Sequence, residues 1–237
     1  MQSQIEELAE FLIRKLQTIP HNQRLIVGIA GIPASGKSTI SHRLVERLNE
    51  LLPQTIDSTT KEAVFVGLDG WHYSRASLDA FPDPRLAHER RGAHWTFDGE
   101  GYAQFFKDLR RNIDETTSPI PFPTFAHHIK DPAPSPHPIT SKHRLIIIEG
   151  LHLLLSFAPW KEPAELLDER WFVEVDQEQA RKRLVRRHVE TGICSTEEEA
   201  QHRWETNDHP NGLHTLENMV PPTRIIPNLD EVLEIPN

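Results

Sequence analysis

The sequence predicts an α/β fold: a mostly parallel sheet of about five strands with helices on both faces. Short apolar runs rich in β-branched residues recur along the chain, and helical segments with one apolar face separate most of them. Strands that are apolar throughout must be covered on both sides, so this alternation is typical of a parallel sheet between two helical layers. The length of 237 residues suits one such domain with insertions.

The predicted strands and helices follow from the periodicity of the apolar residues. The five strands cover residues 25–30, 63–68, 144–150, 171–175 and 224–226. Helices are predicted over residues 3–18, 98–109, 177–188 and 196–207, with a further helix that follows the first strand and ends near Pro53. Residues 74–97 are polar and rich in turn signals. With no internal repeat and no obvious linker, residues 1–237 are predicted to form a single domain.

The composition argues against several classes of protein. A net charge of −9 is unfavourable for a general nucleic-acid binder, although a local basic patch could still serve one. No apolar run approaches the roughly 20 residues that span a bilayer. Residues 2–10 are acidic rather than signal-peptide-like, and Cys194 is the only cysteine, which excludes an intramolecular disulfide. We therefore expect a soluble cytoplasmic protein with no nucleic-acid or membrane partner.

Seven prolines fall between residues 118 and 138. Because proline lacks an N–H group and fixes φ, this density predicts a loop rather than a helix or an interior strand. The segment contains two adjacent histidines, His127 and His128, whose side chains point apart, which disfavours a zinc site. A contact to the substrate and an ordinary surface position remain the alternatives for these histidines. The middle of the segment is rich in chemical groups: Phe125, His127, His128, Lys130 and Asp131.

Residues 31–38 (GIPASGKS) fit the pattern G-x-x-x-x-G-K-[ST], which cradles phosphate groups. Its glycines permit conformations that turn successive N–H groups towards an anion. Lys37 supplies positive charge for the β- and γ-phosphates, and the Ser38 hydroxyl is a ligand for Mg²⁺. The alternative is a glycine turn with an incidental lysine, which the flanking strand and helix disfavour. The predicted nucleotide-binding residues here are Gly31, Ile32, Pro33, Ala34, Ser35, Gly36, Lys37, Ser38 and Thr39.

Acidic residues stand at the ends of two other predicted strands. Ligands of open α/β sheets bind outside the carboxyl ends of the strands, so Asp69 and Glu149 are expected to meet the glycine loop. Glu149 has the position of an acid that holds Mg²⁺ directly or through water. Asp69 could accept the proton of a substrate hydroxyl or join Ser38 and Glu149 around the metal. For either acid, the alternative is a surface carboxylate that caps the next segment.

Five cations lie within residues 181–187 of this acidic protein. On a helix, Arg183 and Arg187 lie one turn apart on one face. Phosphoryl transfer needs positive charge over the departing γ-phosphate, which a mobile arginine-bearing lid can supply. We therefore predict catalytic roles for Arg183 and Arg187 and a nucleotide contact for Arg186. The alternative is a solvated helix face whose cations pair with the acidic residues Glu178 and Glu190.

Several segments resemble the uridine kinase, phosphoribulokinase and pantothenate kinase group of P-loop kinases. The resemblance spans roughly residues 24–215, and its specific segments are similar to a branch with bacterial fructose-transport kinases and fungal uridine-kinase-like ATP-dependent kinases. It implies the three-layer sandwich of P-loop NTPases, with a lid helix at about 177–207 and a substrate loop at about 118–138. The segments that carry it are 31–38, 68–73 (LDGWHY), 90–98 (RRGAHWTFD), 130–132 (KDP), 148–150 (IEG), the arginine-rich helix with His188 and Gly192, and 207–212 (NDHPNG).

The resemblance also implies residue roles. Asp69 would be the base or orienter of the acceptor hydroxyl, Glu149 the outer Mg²⁺ acid, and His127 a substrate contact. Relatives often carry an acid where this chain has Ala126, which leaves the acceptor open. The predicted lid cations are Arg183, Arg186 or Arg187, and the predicted acceptor contacts are His72, Tyr73, Arg75 and His127.

The function predicted from the sequence is that of an ATP- and Mg²⁺-dependent kinase acting on a hydroxyl of a small metabolite. The acceptor could be a nucleoside such as uridine, or it could be pantothenate, a sugar or a sugar phosphate. One alternative is an ATPase that couples hydrolysis to a conformational or assembly step, and another is a nucleotide-binding regulator without catalysis. Four arginines could meet an anionic acceptor or lie on a solvated surface: Arg75, Arg85, Arg90 and Arg91.

Overall fold

The computed structural model describes residues 1–52, 62–114, 116–126 and 129–228. Its main sheet has five strands in the order β2-β5-β1-β6-β7, and every neighbouring pair is parallel. The predicted parallel sheet is thus confirmed. Two further strands form a separate hairpin. The strands are β1 (Leu25–Ala30), β2 (Ala63–Gly67), β3 (Pro123–Ala126), β4 (Asp131–Pro134), β5 (Leu145–Gly150), β6 (Glu169–Glu174) and β7 (Arg224–Pro227).

Helices connect the strands and cover the sheet. The turn-rich segment 74–97 contains only short helices, and no helix in the described ranges is long and apolar enough to cross a membrane. Two 3-10 turns (Leu68–Trp71 and His94–Thr96) and one π-helical turn (Trp204–Asp208) accompany the α-helices. The α-helices are α1 (Gln2–Leu16), α2 (Lys37–Leu51), α3 (Arg75–Leu78), α4 (Pro84–Glu89), α5 (Gly99–Leu109), α6 (Lys161–Glu165), α7 (Gln177–Glu190), α8 (Glu197–Arg203) and α9 (His209–Asn218).

The sheet separates two hydrophobic cores. Successive side chains of a strand point to opposite faces, so Ile26 of β1 joins one core and Val27 joins the other. The core around Val27 is completed by α1 and α2, and the core around Ile26 is completed largely by α5, α7 and the segment after β5. Both faces of the parallel sheet are therefore covered, as the apolar strands predict.

The proline-rich segment folds as an antiparallel hairpin of β3 and β4, with Pro123 opposite Pro134 and Ala126 opposite Asp131. A two-stranded ribbon consists only of edge strands, so a missing N–H group leaves no interior ladder broken. The prediction of a loop outside the main sheet was correct in excluding helix and interior strand, but it missed this pairing. His127 and His128 lie outside the described residues.

The predicted lid consists of two helices. Helix α7 ends at Glu190, and Gly192 then adopts a left-handed φ of 66°, which glycine tolerates without strain. Helix α8 begins after Thr196, whose hydroxyl accepts a hydrogen bond from the backbone N–H of Glu199. The π-helical turn then leads directly into α9, which brings residues 204–218 back towards the sheet.

Candidate active site

Three strand ends meet at one edge of the sheet. Strand β5 lies between β2 and β1, and its register places Glu149 beside Gly67 and Gly150 beside Ala30. The glycine loop follows Ala30, and Asp69 follows Gly67 by two residues. The convergence predicted from the strand-end rule is thus the observed arrangement.

The backbone of the glycine loop has the curvature that the motif requires. Ala34 and Gly36 have left-handed φ angles of 61° and 88°, and α2 begins at the next residue, Lys37. Gly31 has a different reason to be glycine: a Cβ there would collide with the Ser35 hydroxyl. The loop therefore packs around the side chain of its own Ser35, and it remains open to an anion at the N-terminus of α2.

Lys37 and Glu149 form a mostly buried pair, and the exposed Ser38 lies beside them. Lys37 Nζ lies 3.7 Å from Glu149 Oε1, and their side chains are only 15% and 12% exposed. The Ser38 hydroxyl is close enough to the Glu149 carboxylate to favour its charged form. Burial raises the pKa of Glu149, the nearby Asp69 charge raises it further, and Lys37 and Ser38 oppose the shift.

This donor set fits a divalent cation that is bound together with a nucleotide. Within the described ranges, no cluster of three or more His, Cys, Asp or Glu side chains could hold a metal by itself. Mg²⁺ is usually held by one or two carboxylates with phosphate oxygens and water. A buried carboxylate beside a hydroxyl suits that mode, because the ion would restore the charge balance that desolvation disturbs.

Asp69 extends into the open part of the site. It lies in the 3-10 turn Leu68–Trp71, its side chain is 63% exposed, and its charge is close enough to raise the pKa of Glu149. His72 fixes this turn, because its Nδ1–H donates to the Asp69 backbone carbonyl at 2.9 Å. The His72 ring packs 3.9 Å from Phe97 and 5.3 Å from Phe125, measured between ring centroids. Burial lowers the pKa of His72, which keeps the ring neutral at pH 7.

Asp131 at the start of β4 ties the hairpin to the segment after Asp69. Its Oδ1 accepts from Arg91 Nη2 at 2.7 Å and from the backbone N–H of Arg75 at 2.9 Å. Arg91 Nη2 also donates to the Tyr73 carbonyl at 2.8 Å, and Arg75 Nη2 donates to the Ile129 carbonyl at 3.1 Å. Arg75 and Arg91 thus form an ion-paired clasp with Asp131.

Gly70 allows the hairpin to approach the Asp69 turn closely. A Cβ at this position would collide with the carbonyl group of Pro123 in β3. Tyr73, three residues on, packs edge-on against Phe81 with ring centroids 5.6 Å apart, and partial burial raises the pKa of its hydroxyl. The Asp-Gly-Trp-His-Tyr segment is therefore a contact surface for the hairpin as well as the carrier of Asp69.

The arginine-rich helix is partly accounted for by pairs along its own surface. Arg181 pairs with Glu178 at 2.6 Å, and Arg186 pairs with Glu190 at 2.6 Å while remaining 80% exposed. These pairs agree with the solvated-face alternative for Arg181 and Arg186. Arg183, which is partly buried, and Arg187, which is exposed, occupy one face of α7, as predicted.

The segment predicted to form a lid adjoins the glycine loop at the start of α7. Gln177 at the start of α7 lines a small cavity together with Ile32 and Pro33 of the loop. Gly212 of α9 packs against the same two residues, its ideal Cβ position lying 3.4 Å from Ile32 atoms. Helix α7, which carries the arginines, therefore begins next to the glycine loop.

Asn228 is a residue at this site that the sequence analysis missed. It follows β7, and its side-chain amide donates to the Ser35 carbonyl while its backbone N–H donates to the Glu174 carbonyl at 2.9 Å. The amide also occupies the space that a Cβ on Gly36 would need. The strand-end rule that selected Asp69 and Glu149 applies equally to Asn228 and could have found it.

The segments 90–98 and 207–212, which carry much of the family resemblance, contact each other. Arg90 donates from Nε to Asn207 Oδ1 at 3.2 Å and from Nη2 to Asn211 Oδ1 at 3.1 Å. His152, fully buried just after β5, donates to the Gly92 carbonyl at 2.9 Å. Both asparagines lie in a segment that the family resemblance includes, but no role was predicted for either, because an amide has no charge or periodicity to reveal one.

A glycine loop after the first strand, its buried lysine and two strand-end carboxylates define the site of a P-loop kinase. The chain belongs to the Phosphoribulokinase / Uridine kinase family, whose model matches residues 26–203. The family and the relatives described next support ATP-dependent kinase activity for this chain.

Two similar proteins support this family assignment, and one crystal structure shows the same fold. The ATP-dependent kinase-like protein notR' of Aspergillus versicolor is 44% identical over 160 residues, covering 68% of this chain and 93% of that protein. A Schizosaccharomyces pombe protein named "Putative uridine kinase C227.14" is 34% identical over 220 residues, covering 93% and 90%. The crystal structure of YFH7 from Saccharomyces cerevisiae superposes with a TM-score of 0.80 at 23% identity, covering 94% of this chain and 98% of that chain, and shows the shared fold.

Proposed function

We propose that this protein transfers the γ-phosphate of ATP to a hydroxyl group of a small metabolite. The observation that carries the proposal is the meeting of Lys37, Ser38, Glu149 and Asp69 at the ends of β1, β2 and β5. Such a site catalyses mainly by positioning the reactants and by stabilising charge. Candidate acceptors are a nucleoside, pantothenate, a sugar and a sugar phosphate.

The phosphate chain of ATP would lie along the glycine loop. The loop amides and the N-terminus of α2 would face the phosphate oxygens, and Lys37 would add a mobile charge. Ser38 and Glu149 would hold Mg²⁺, which neutralises charge on the β- and γ-phosphates when it is bound. Lys37 and Glu149, 3.7 Å apart, compensate each other, so neither buried charge stands alone.

The acceptor would enter beside Asp69. Because this carboxylate is well exposed, it can reach a hydroxyl group, orient it and take its proton as the phosphoryl group is transferred. His72 and Tyr73 would shape the acceptor pocket, together with His127 outside the described residues. Arg75 would act through its clasp with Asp131, and the lid arginines Arg183 and Arg187, with Arg186, would approach the phosphates when the lid closes.

The proposal is tested by comparing Lys37→Ala with Asp69→Asn. Both variants should lose transfer, by about 10²–10⁴-fold in kcat for Asp69→Asn, because general-base catalysis contributes about that much. Lys37→Ala should also weaken ATP binding, whereas Asp69→Asn should leave it within about twofold, because Asp69 would face the acceptor. ADP formation is measured against a panel of nucleosides, vitamins, sugars and their phosphates, and nucleotide binding is measured by calorimetry.

Asp114→Asn is the matched control, since this exposed residue lies in a turn where asparagine keeps the oxygen that accepts from Thr116. It should retain full activity. Full transfer by Asp69→Asn would contradict the base assignment. ATP hydrolysis that no acceptor stimulates, unchanged in Asp69→Asn, would instead support the ATPase alternative.

A further inference from the structure

Arg90 is held by a buried pair of asparagines. Its Nε and Nη2 groups donate to Asn207 Oδ1 and Asn211 Oδ1, and Asn211 Nδ2 donates to Asn207 Oδ1 at 3.1 Å. Asn207 Nδ2 in turn donates to the Arg91 carbonyl at 3.1 Å. The two asparagines are only 2% and 5% exposed. The direction of the guanidinium is therefore fixed on two sides by side chains that cannot themselves move freely.

The partners of Arg90 fix its position without neutralising its charge. Among the residues that the structure describes, no carboxylate lies within ion-pair distance of Arg90, whereas its neighbours Arg75 and Arg91 both pair with Asp131. The buried amides of Asn207 and Asn211 are hydrogen-bonded to Arg90 and to each other, so the guanidinium is held in one orientation by neutral groups. A planar guanidinium that is preoriented and uncompensated is the arrangement that recognises carboxylate and phosphate groups.

The residues next to Arg90 and its partner Asn211 contact both halves of the proposed active site. On one side, the adjacent Arg91 is bonded to the Tyr73 carbonyl, four residues after Asp69. On the other side, Asn211 adjoins Gly212, which packs against Ile32 of the glycine loop. A group bound by Arg90 would thus lie where an acceptor must bridge Asp69 and the γ-phosphate.

We propose that Arg90 binds an anionic group, a carboxylate or a phosphate, on the acceptor. The inference rests on the proposed kinase function and narrows its substrate class to hydroxy acids or phosphorylated metabolites. Neutral nucleosides and neutral sugars then lack the group that Arg90 recognises.

The test uses acceptors that differ only in the anion. Suitable pairs are pantothenate with its neutral alcohol, glycerate with glycerol, and ribose 5-phosphate with ribose; these also distinguish carboxylate from phosphate. The wild-type protein should prefer the anionic member of one pair by about 100-fold in kcat/KM, because a desolvated charged hydrogen bond contributes about that factor. Arg90→Gln should raise the acceptor KM by a similar factor without changing the KM for ATP. The acceptor KM of Arg90→Lys should lie between the values for the wild-type protein and Arg90→Gln, because lysine keeps the positive charge but lacks the planar guanidinium.

Arg85→Gln is the control, because Arg85 is an exposed arginine of α4 and should leave every constant unchanged. Equal use of both members of the pairs by the wild-type protein would overturn the proposal. A fall in ATP affinity or kcat without a change in acceptor KM would assign Arg90 to the nucleotide instead. If Arg90→Gln does not fold, Arg90→Lys carries the same comparison.

A binding measurement separates failure of this inference from failure of the kinase proposal. With the glycine loop filled by a non-hydrolysable ATP analogue, sulfate and the anionic acceptors are titrated by calorimetry. They should bind the wild-type protein at least about tenfold more tightly than Arg90→Gln, whether or not any acceptor is turned over. Equal binding by the two proteins would refute the role of Arg90, and a difference without turnover would refute only the kinase assignment.

Discussion

The proposed phosphate side and acceptor side of the site are built in different ways. The phosphate side consists of residues 31–39, with Glu149 and Asn228, and stands on strands β1, β5 and β7 of one parallel sheet. The acceptor side joins four segments far apart in the chain: residues 69–75, residues 90–97, the β3–β4 hairpin and residues 207–212. Local backbone chemistry thus determines the glycine loop, to which the central sheet adds Glu149 and Asn228, whereas packing between connecting segments determines the acceptor side. Substrate differences within such a fold should therefore arise on the acceptor side.

Gly70→Ala should disturb the acceptor side most strongly. The new Cβ would collide with the backbone carbonyl of Pro123, so the hairpin must shift or the Asp69 turn must deform. We expect kcat/KM for the acceptor to fall by about 100-fold, because a misplacement near 1 Å can cost that much. Nucleotide binding should change by less than about threefold. Steady-state kinetics and ADP calorimetry on the same preparation check both values.

Gly67→Ala is a useful control for this variant. Gly67 lies at the end of β2 near Asp69, but a Cβ there meets only the Phe65 ring at an ordinary 3.6 Å. It should retain most of the acceptor turnover. A Gly70→Ala protein with normal acceptor kinetics would show that the hairpin contact does not position the acceptor.

The two sides also differ in what the sequence could predict. The glycine loop, Asp69 and Glu149 follow from a contiguous motif and from the strand-end rule, and the structure brings them together as expected. Arg75, a predicted substrate contact, pairs with Asp131, a residue 56 positions away. Which of several arginines keeps its charge uncompensated depends on such distant pairings. The spacing of residues within one segment does not reveal these distant pairings.

Acid should lower the stability of the folded protein through His152, which contacts Gly92 on the acceptor side. Its Nε2–H donates to the Gly92 carbonyl, and its Nδ1 lies 3.3 Å from the Thr215 hydroxyl, so the neutral ring satisfies both contacts. Complete burial lowers the pKa of His152 to about 3, whereas the unfolded chain binds the proton near the ordinary value of 6.5. The unfolded state therefore gains protons first as the pH falls. The free energy of unfolding should drop by up to about 1.4 kcal/mol per pH unit from this residue below pH 6.5.

Urea unfolding between pH 7.5 and 5 checks this slope. His152→Gln removes the titration and keeps an amide that can donate to Gly92, so its stability should depend less on pH than that of the wild-type protein. His137→Gln, which changes an exposed histidine of the segment after β4, should leave the slope unchanged. Identical slopes for the wild-type and His152→Gln proteins would show that His152 is not buried as a neutral ring.

The smallest expected effect belongs to Asn228 on the phosphate side. In a trans peptide the C=O and the following N–H point in opposite directions, so an amide that holds the Ser35 carbonyl also fixes the direction of the Gly36 N–H. Asn228→Ala should free this peptide to rotate and weaken ADP binding by about five- to tenfold, the value of one net hydrogen bond. Acceptor KM should not change, which is the reverse of the pattern for Gly70→Ala. Exposed Asn112→Ala serves as the control, and an acceptor KM that rises with an unchanged ADP affinity would show that Asn228 does not act through the glycine loop.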